Sequence, residues 1–303
     1  MSAAKVETRR ILVTGRDGQV GWELAHALAP LGQVTATGRA ELDLASDDSI
    51  RAVVRRVHPQ LIVNAAAYTA VDKAESEPNI ARRINAGAVA TLAAEAKLVS
   101  AAMIHYSTDY VFDGTKVAPY VEEDLPNPLG VYGHTKLAGE QALADAGVPY
   151  LVLRTSWVYG ARGRNFLLTI LKLAAVGPEL RIVADQHGAP TAAQEIAAAT
   201  VTIAERWMDS GPADRSGIYH LTAAGETSWH GFAAEAVRLR ASAMTSEKFA
   251  CLVPIPTSEY PTPAARPKNS RLDCGKLENI FAVRLPDWKI SLTAVMREID
   301  YPR

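Results

Sequence analysis

The sequence predicts an α/β fold: a Rossmann-type doubly wound parallel sheet with a smaller, partly interleaved C-terminal substrate domain. Three observations lead there. From Arg10 onward, short β-branched runs alternate with longer amphipathic segments, the pattern of βαβ units. The first such run passes straight into a glycine-rich turn that opens a helix. After about Tyr159 the alternation loosens, and proline and serine accumulate.

RILVTG, QVTATG, QLIVNAAA, AMIHYST and YLVLRTSWVY read as strands, nearly continuous in apolar residues because a parallel strand is buried on both faces. Between them QVGWELAHALAP, SDDSIRAVVRRVH, INAGAVATLAAEAKLVSA and VYGHTKLAGEQALADAG repeat their apolar residues with the period of a helix. Further on, NFLLTILKLAAV and TAAQEIAAATVTIAERWM read as helices around a short strand, LRIVAD, and PIPTSEYPTPAARPKNS as irregular chain. Residues 1–158 and about 189–222 are expected to form the dinucleotide-binding domain, and about 159–188 and 223–303 the substrate domain.

A chain of 303 residues has ample length for this. Its 48% hydrophobic and 21% charged residues are ordinary for a soluble protein. A formal net charge of −1 lacks the basic surplus of a nucleic-acid binder. Apolar runs such as LIVNAAAY fall short of the roughly 20 residues of a membrane span, and MSAAKVETRR has no signal-peptide core. The expected compartment is the cytoplasm. Cys251 and Cys274 read as free thiols, and the scattered histidines contain no HxH or HxxxH pair.

In GRDGQVG, the glycines Gly15, Gly18 and Gly21 let the backbone turn sharply and approach a pyrophosphate, held by the free amides of the following helix. A tight turn that binds nothing would also use glycine; the placement between the first strand and a helix points to a dinucleotide. Thr37 stands where an NAD-selective site carries an acid, and Arg39 just beyond can pair with a 2′-phosphate or lie in solvent. NADPH is favoured and NADH stays open.

In VYGHTKLAGE, Tyr132 and Lys136 stand four apart and share a helix face. A nearby ammonium and an oxidised nicotinamide would stabilise a phenolate, bringing the tyrosine towards a working range for proton transfer. His134 points to another face and reads as a bystander. In HYSTDYVFDG, Ser107 and Thr108 end the fourth strand, where doubly wound folds place their ligands. A hydroxyl there can donate to a carbonyl oxygen as it gains charge, or simply cap the next turn. The alanines of NAAAYTAVDKAESEP fit either a cofactor lying against the backbone or ordinary tight packing.

The GxxGxxG spacing resembles the extended branch of the short-chain dehydrogenase/reductase superfamily. Within it, GRDGQVGWEL, NAAAYTAVDKAESEP, STDYVFDGT, VYGHTKLAGE, RTSWVYG, DQHGAPT and YPTPAARPKNSRLD together resemble the dTDP-4-dehydrorhamnose reductases, from Ile11 to about Glu298. That family reduces the 4-keto group of dTDP-4-dehydro-β-L-rhamnose with NAD(P)H, the last step towards dTDP-L-rhamnose for bacterial surface polysaccharides. The resemblance implies Tyr132 as proton donor, Lys136 as its tuner and Thr108 as the hydroxyl that steadies the oxyanion. It implies Gly18, Gln19 and Val20 at the pyrophosphate, Asp43 and Leu44 at the adenine, and Ala67, Tyr68, Thr69 and Tyr106 along the cofactor or sugar. Asp109 and Trp157 would meet the sugar ring, and Arg266, Asn269 and Ser270 the nucleotide end of the substrate.

Some members form a magnesium-linked dimer through glutamates. Glu23 and Glu298 fall at such positions, but the third is Gln194, with Glu195 one step out of phase. A neutral amide is a weaker ligand for a hard cation. No metal ligand set is assigned, and a Mg2+ site and a homodimer stay open. Two other functions remain as alternatives. A related nucleotide-sugar 4,6-dehydratase or 4-epimerase shares the Tyr-Lys pair, but dehydratases place Asp-Glu after the strand threonine where this chain has Asp109 and Tyr110. A non-catalytic NADP-binding regulatory subunit would keep the glycine loop without turnover.

Overall fold

The chain begins its regular structure with β1 (Arg10–Thr14), whose last residue opens the glycine turn into α1 (Gln19–Ala27). There follow β2 (Gln33–Thr37), α2 (Asp47–Val57) and β3 (Leu61–Asn64). Ser46 caps α2 by accepting from Ser49 N, Asp47 and Asp48 occupy its first turn, and Arg55 and Arg56 its last. Charge and cap both match the helix dipole. This computed structural model describes residues 8–244 and 248–300. The reading of MSAAKVETRR as lacking a leader core falls largely on residues 1–7, outside the described residues.

Two short helices, α3 (Val71–Ala74) and α4 (Pro78–Arg82), continue through a π-helical turn, Arg83–Gly87, into α5 (Ala88–Leu98). The periodicity predicted one uninterrupted helix from Ile84. The π turn instead carries buried Asn85, whose side chain accepts from Tyr68 N (2.8 Å) and donates to Tyr68 O (3.1 Å) and Thr135 Oγ1 (3.1 Å). Those bonds knit this turn to the loop after β3 and to the next helix. Then come β4 (Ala102–Thr108), α6 (Val131–Asp145) and β5 (Tyr150–Thr155). The predicted strand YLVLRTSWVY ends early, because Trp157 turns into the left-handed region (φ 49°) and starts a separate short strand, β6 (Val158–Tyr159).

The rest supplies α7 (Phe166–Ala174), β7 (Glu179–Val183), β8 (His187–Gly188), β9 (Thr191–Ala192), α8 (Ala193–Asp209) and β10 (Gly217–His220). Last are β11 (Thr227–Ser228), α9 (Trp229–Ala243), β12 (Cys251–Ile255), α10 (Gly275–Phe281) and α11 (Trp288–Asp300). The main sheet runs β10-β5-β4-β3-β1-β2, all parallel. The chain reverses its winding between β1 and β3, the switch point at which such sheets open a crevice. β7 and β12 form a separate parallel pair.

Alternate residues of the strands feed two cores. Ile11, Val13, Leu61, Val63, Ile104, Leu151 and Leu153 pack with α1, α8 and α10, whereas Leu12, Ile62, Met103 and Val152 pack with α2, α5 and α6. A period of two with both faces buried is why these strands read as continuous apolar runs. A third core around Leu167, Phe232, Trp288 and Leu292 joins α7, α9 and α11.

One buried ion pair fastens α6 to the sheet. Arg154 of β5 donates through Nε (3.0 Å) and Nη2 (2.6 Å) to both oxygens of Glu140, and both side chains are at most 2% exposed. Removing one partner strands the other charge away from water. Glu140→Ala is expected to destabilise the fold by about 3–5 kcal/mol, measured as a lower denaturant midpoint at unchanged slope; an unaltered midpoint would show that water relieves Arg154.

Candidate active site

The C-terminal ends of β1, β3, β4 and β5 open on a cleft of about 1270 Å³. At its floor Gly15 adopts φ 79°, and a Cβ there would come within 2.8 Å of Ala66 N; a Cβ on Gly21 would lie 2.0 Å from Gly15 O. Only bare glycine backbone fits. Gly18 N donates to Gly15 O at 2.9 Å, and α1 starts with no side-chain cap and no acid in its first turn. Its free amides therefore face the cleft as a positive helix end. The cradle suits a pyrophosphate, and Gly15, Gly18, Gln19 and Val20 all line it.

Past β2, Thr37 is buried and donates to Val13 O, so no acid occupies the ribose position. Arg39, Asp43 and Leu44 line the same end, and Arg39 is exposed with no ion pair among the described residues. Ala67, Tyr68, Thr69 and Tyr106 also line the cleft. The Tyr106 hydroxyl turns away from it, to Thr200 of α8 at 2.6 Å.

Thr108, the buried last residue of β4, donates to Asp109 Oδ1 (3.0 Å) and accepts from Tyr110 N (3.2 Å). It caps the following turn and sits beside the Tyr132 hydroxyl. Burial pushes Asp109 up to about 6, with the Ser270 and Thr108 hydroxyls opposing. Oδ2 is nonetheless buried without a well-formed hydrogen bond. Tyr132 lies in the first turn of α6, whose start is held by Glu75 accepting from Val131 N at 2.8 Å. Burial first, and the Asp109 charge second, raise the Tyr132 phenol above its ordinary value, against the Thr108 hydroxyl.

Lys136 follows one turn later, 2% exposed. Its Nζ donates to Tyr106 O at 2.6 Å and lies 3.2 Å from His105 Nε2. Burial lowers its pKa to about 8, opposed by Glu140. The lysine was expected to lower the tyrosine; here Nζ is bonded inward, to β4, and burial dominates at the phenol. His134 is exposed.

Across the cleft Trp157 stacks on Trp229 (3.7 Å, 13°), Phe166 tilts against Trp229 at 4.6 Å, and Trp229 Nε1 donates to Gln186 at 3.2 Å. The sequence reading missed Trp229, Phe166 and Gln186; the one local hint is ETSWHGF, where Ser228 caps α9 and sets Trp229 in its first turn. Arg266 lines the cleft and pairs with Asp72 at 2.8 Å. Asn269 and Ser270 do not line it. The Asn269 amide donates to Lys116 O (2.7 Å) and Ala118 O (2.9 Å), tying the tail to the loop after β4, and buried Ser270 backs Asp109. Glu23 is raised by burial and then by the Glu298 charge, and burial also raises Glu195. Among the described residues no group of three or more His, Cys, Asp or Glu is placed to hold a metal. No helix of the described residues is long and apolar enough to cross a membrane.

A glycine cradle at the switch point and a Thr-Tyr-Lys set at the end of the fourth strand define an oxidoreductase of the short-chain dehydrogenase/reductase type. Comparison with known proteins narrows the class. The family model described as the RmlD substrate binding domain matches residues 9–301. The dTDP-4-dehydrorhamnose reductase of Burkholderia thailandensis is 49% identical over 295 residues, 96% of this chain and 99% of the relative. Two solved dTDP-4-dehydrorhamnose reductases superpose closely, each over 96% of this chain and 99% of its own. The Clostridium acetobutylicum protein gives a TM-score of 0.88 at 35% identity, and the Bacillus anthracis protein, in complex with NADP, 0.87 at 33%. The chain belongs to the dTDP-4-dehydrorhamnose reductase family.

The raised Asp109 gives the site a stability signature. Its protonated form is the one the fold accommodates, so that stability is complete below about pH 4 and is lost as the pH rises through about 6. Relative to Asp109→Asn, the wild type is expected to lose up to about 3 kcal/mol across that window, followed by denaturation at stepped pH. Parallel curves for the two proteins would mean that Asp109 stays ionised at no cost.

Proposed function

We propose that the chain reduces the 4-keto group of dTDP-4-dehydro-β-L-rhamnose to the hydroxyl of dTDP-L-rhamnose with NADPH, Tyr132 giving the proton. The observation that carries this is the pair of hydroxyls, Thr108 at the end of β4 and Tyr132 in the first turn of α6, that line one cleft with the glycine cradle. The near full-length likeness to proteins named dTDP-4-dehydrorhamnose reductase supports the substrate, and the NADP bound to the Bacillus anthracis protein supports the cofactor. The cradle closed to any Cβ at Gly15 and Gly21 fits a dinucleotide pyrophosphate. Bound there, NADPH supplies the hydride.

The protein supplies the rest. Gly18, Gln19 and Val20 hold the pyrophosphate on the amides of α1, and exposed Arg39 offers its charge to a 2′-phosphate. Asp43, Leu44, Ala67, Tyr68 and Thr69 line the cofactor side; Asp109, Trp157 and Arg266 line the sugar-nucleotide side. A phenol held above its ordinary pKa stays protonated at neutral pH, so Tyr132 keeps a proton to give. Thr108, once its hydroxyl turns its hydrogen from Asp109 Oδ1, would donate to the same oxygen as charge develops there, and burial makes that donation stronger than it would be in water. Lys136, fixed to Tyr106 O, would offer a hydrogen to the cofactor ribose.

Mixing the protein with NADPH and enzymatically prepared dTDP-4-dehydrorhamnose is expected to consume reduced nicotinamide; no oxidation with that sugar would sink the reading. Tyr132→Phe is expected to lower kcat by roughly 10²–10⁴ with cofactor affinity little changed, and equal activity would mean another donor serves. Arg39→Ala is expected to weaken NADPH binding more than NADH binding, measured by fluorescence titration with each; equal losses would place the 2′-phosphate elsewhere.

A further inference from the structure

Lys136 is one end of a buried polar chain that crosses the sheet. His105, three residues before Thr108 on β4, is 1% exposed and stands in register with Asn64 of β3. Its Nε2 faces Lys136 Nζ at 3.2 Å, and its Nδ1 lies 3.0 Å from the Asn64 side-chain nitrogen. Asn64 Oδ1 accepts from the Thr14 hydroxyl at 2.6 Å, and Thr14 Oγ1 accepts from Ala66 N at 3.3 Å. Thr14 and Ala66 line the cleft beneath the glycine cradle.

The chain fixes its own hydrogens. A separation of 2.6 Å is natural for O–H···O and short for N–H···O, so the amide oxygen of Asn64 faces Thr14 and its nitrogen faces the ring. Nδ1 is then the accepting nitrogen. Burial and the neighbouring Lys136, opposed by a contact with the Asn64 backbone, hold the imidazole well below its ordinary value, so it carries a single proton; with Nδ1 accepting from the Asn64 amide, that proton falls on Nε2. An Nε2–H finds a lone pair on Lys136 only when the lysine is an amine; an ammonium sets hydrogen against hydrogen.

We propose that His105 is a positioning residue that presents its Nε2–H to Lys136 and thereby sets how readily the lysine gives up its proton, with Asn64 and Thr14 fixing the ring tautomer. No other neighbour in contact with Nζ distinguishes the two charge states. Tyr106 O accepts from either. Glu140, one turn along α6, favours the ammonium but is engaged on both oxygens by Arg154 of β5. Tyr132, one turn back, is a neutral phenol, with the Asp109 carboxyl beyond it. On the π turn, Asn85 is uncharged and bonded to Thr135.

The direct test does not depend on the reductase reading. With ¹⁵N-labelled histidine, the His105 resonances are assigned by their loss in His105→Asn and recorded near pH 9, above the Lys136 titration at about 8. A bare Nδ1 and a protonated Nε2 are expected; a proton on Nδ1 overturns the proposal. The functional consequence rests on that reading and is seen in the pH profile of kcat/KM for NADPH oxidation. His105→Asn is too short to reach Nζ, and Asn64→Asp draws the ring proton to Nδ1 and turns Nε2 into an acceptor. Each is expected to move the alkaline limb upward, by about one pH unit. A limb that stays in place in both variants, or moves down, overturns it. Absence of any sugar-dependent oxidation would instead sink the reductase reading and leave the tautomer measurement standing.

Discussion

Taking the Lys136 nitrogen out of water costs several kcal/mol unless its hydrogens find acceptors, and the 2.6 Å bond to Tyr106 O supplies one from the backbone of β4. That bond decides where α6 lies. Residues four apart share a helix face, so fixing Lys136 also fixes Tyr132 one turn before it and Glu140 one turn after. Tyr132 meets Thr108 at the end of β4, and Glu140 meets Arg154 on β5. Three successive turns of one helix are thus fastened to two adjacent strands. The tyrosine that faces the cleft is held by two buried polar contacts behind it.

The opposite wall of the cofactor side follows from a different constraint. Gly15 must leave β1 with a positive φ and pass within van der Waals contact of the backbone after β3, and Gly21 must let α1 start against Gly15 O. Both demands arise because β1 and β3 are neighbours while the chain visits β2 between them. The turn is tight on account of the topology, and its tightness leaves the helix amides bare. The same polar chain that closes this corner, Thr14 to Asn64, continues through His105 to Lys136. The cradle and the Lys136 end of the cleft therefore share one buried hydrogen-bonded core.

Much of this was legible in the sequence where the physics is local. Parallel strands buried on both faces leave continuous apolar runs, and β1, β3, β4 and β5 were readable for that reason; the Tyr132–Lys136 spacing needs only one helix. The missing parts are non-local. β10 has four residues and takes its place only by pairing with β5. Trp229 reaches the cleft by stacking on Trp157, and Arg266 finds Asp72 across 194 positions of sequence. His105 was in plain view in HYSTDYVFDG, yet its meaning depends on Asn64 and Thr14, which only strand register brings beside it. The resemblance alone suggested Asn269 and Ser270 for the nucleotide end of the substrate; what strand and loop packing adds is that the Asn269 amide bonds the loop after β4 and that buried Ser270 lies beside Asp109.

Burial shifts three titratable groups at the end of β4 and the start of α6 by different amounts. Asp109 loses its proton near 6, Lys136 near 8, and Tyr132 above its ordinary value. The order is self-reinforcing. Once Asp109 is ionised, its charge raises Tyr132 further and keeps the phenol protonated, while burial of Lys136 lets the lysine titrate before the tyrosine does. Between those two values the cleft holds a carboxylate, an ammonium and a neutral phenol together. Below that window the carboxylate is neutral, yet burial alone keeps the phenol protonated; above it the lysine has lost its charge. The upper limit comes first from desolvation of Lys136, so the pH at which the phenol loses a charged lysine beside it depends on how deeply α6 is pressed against β4.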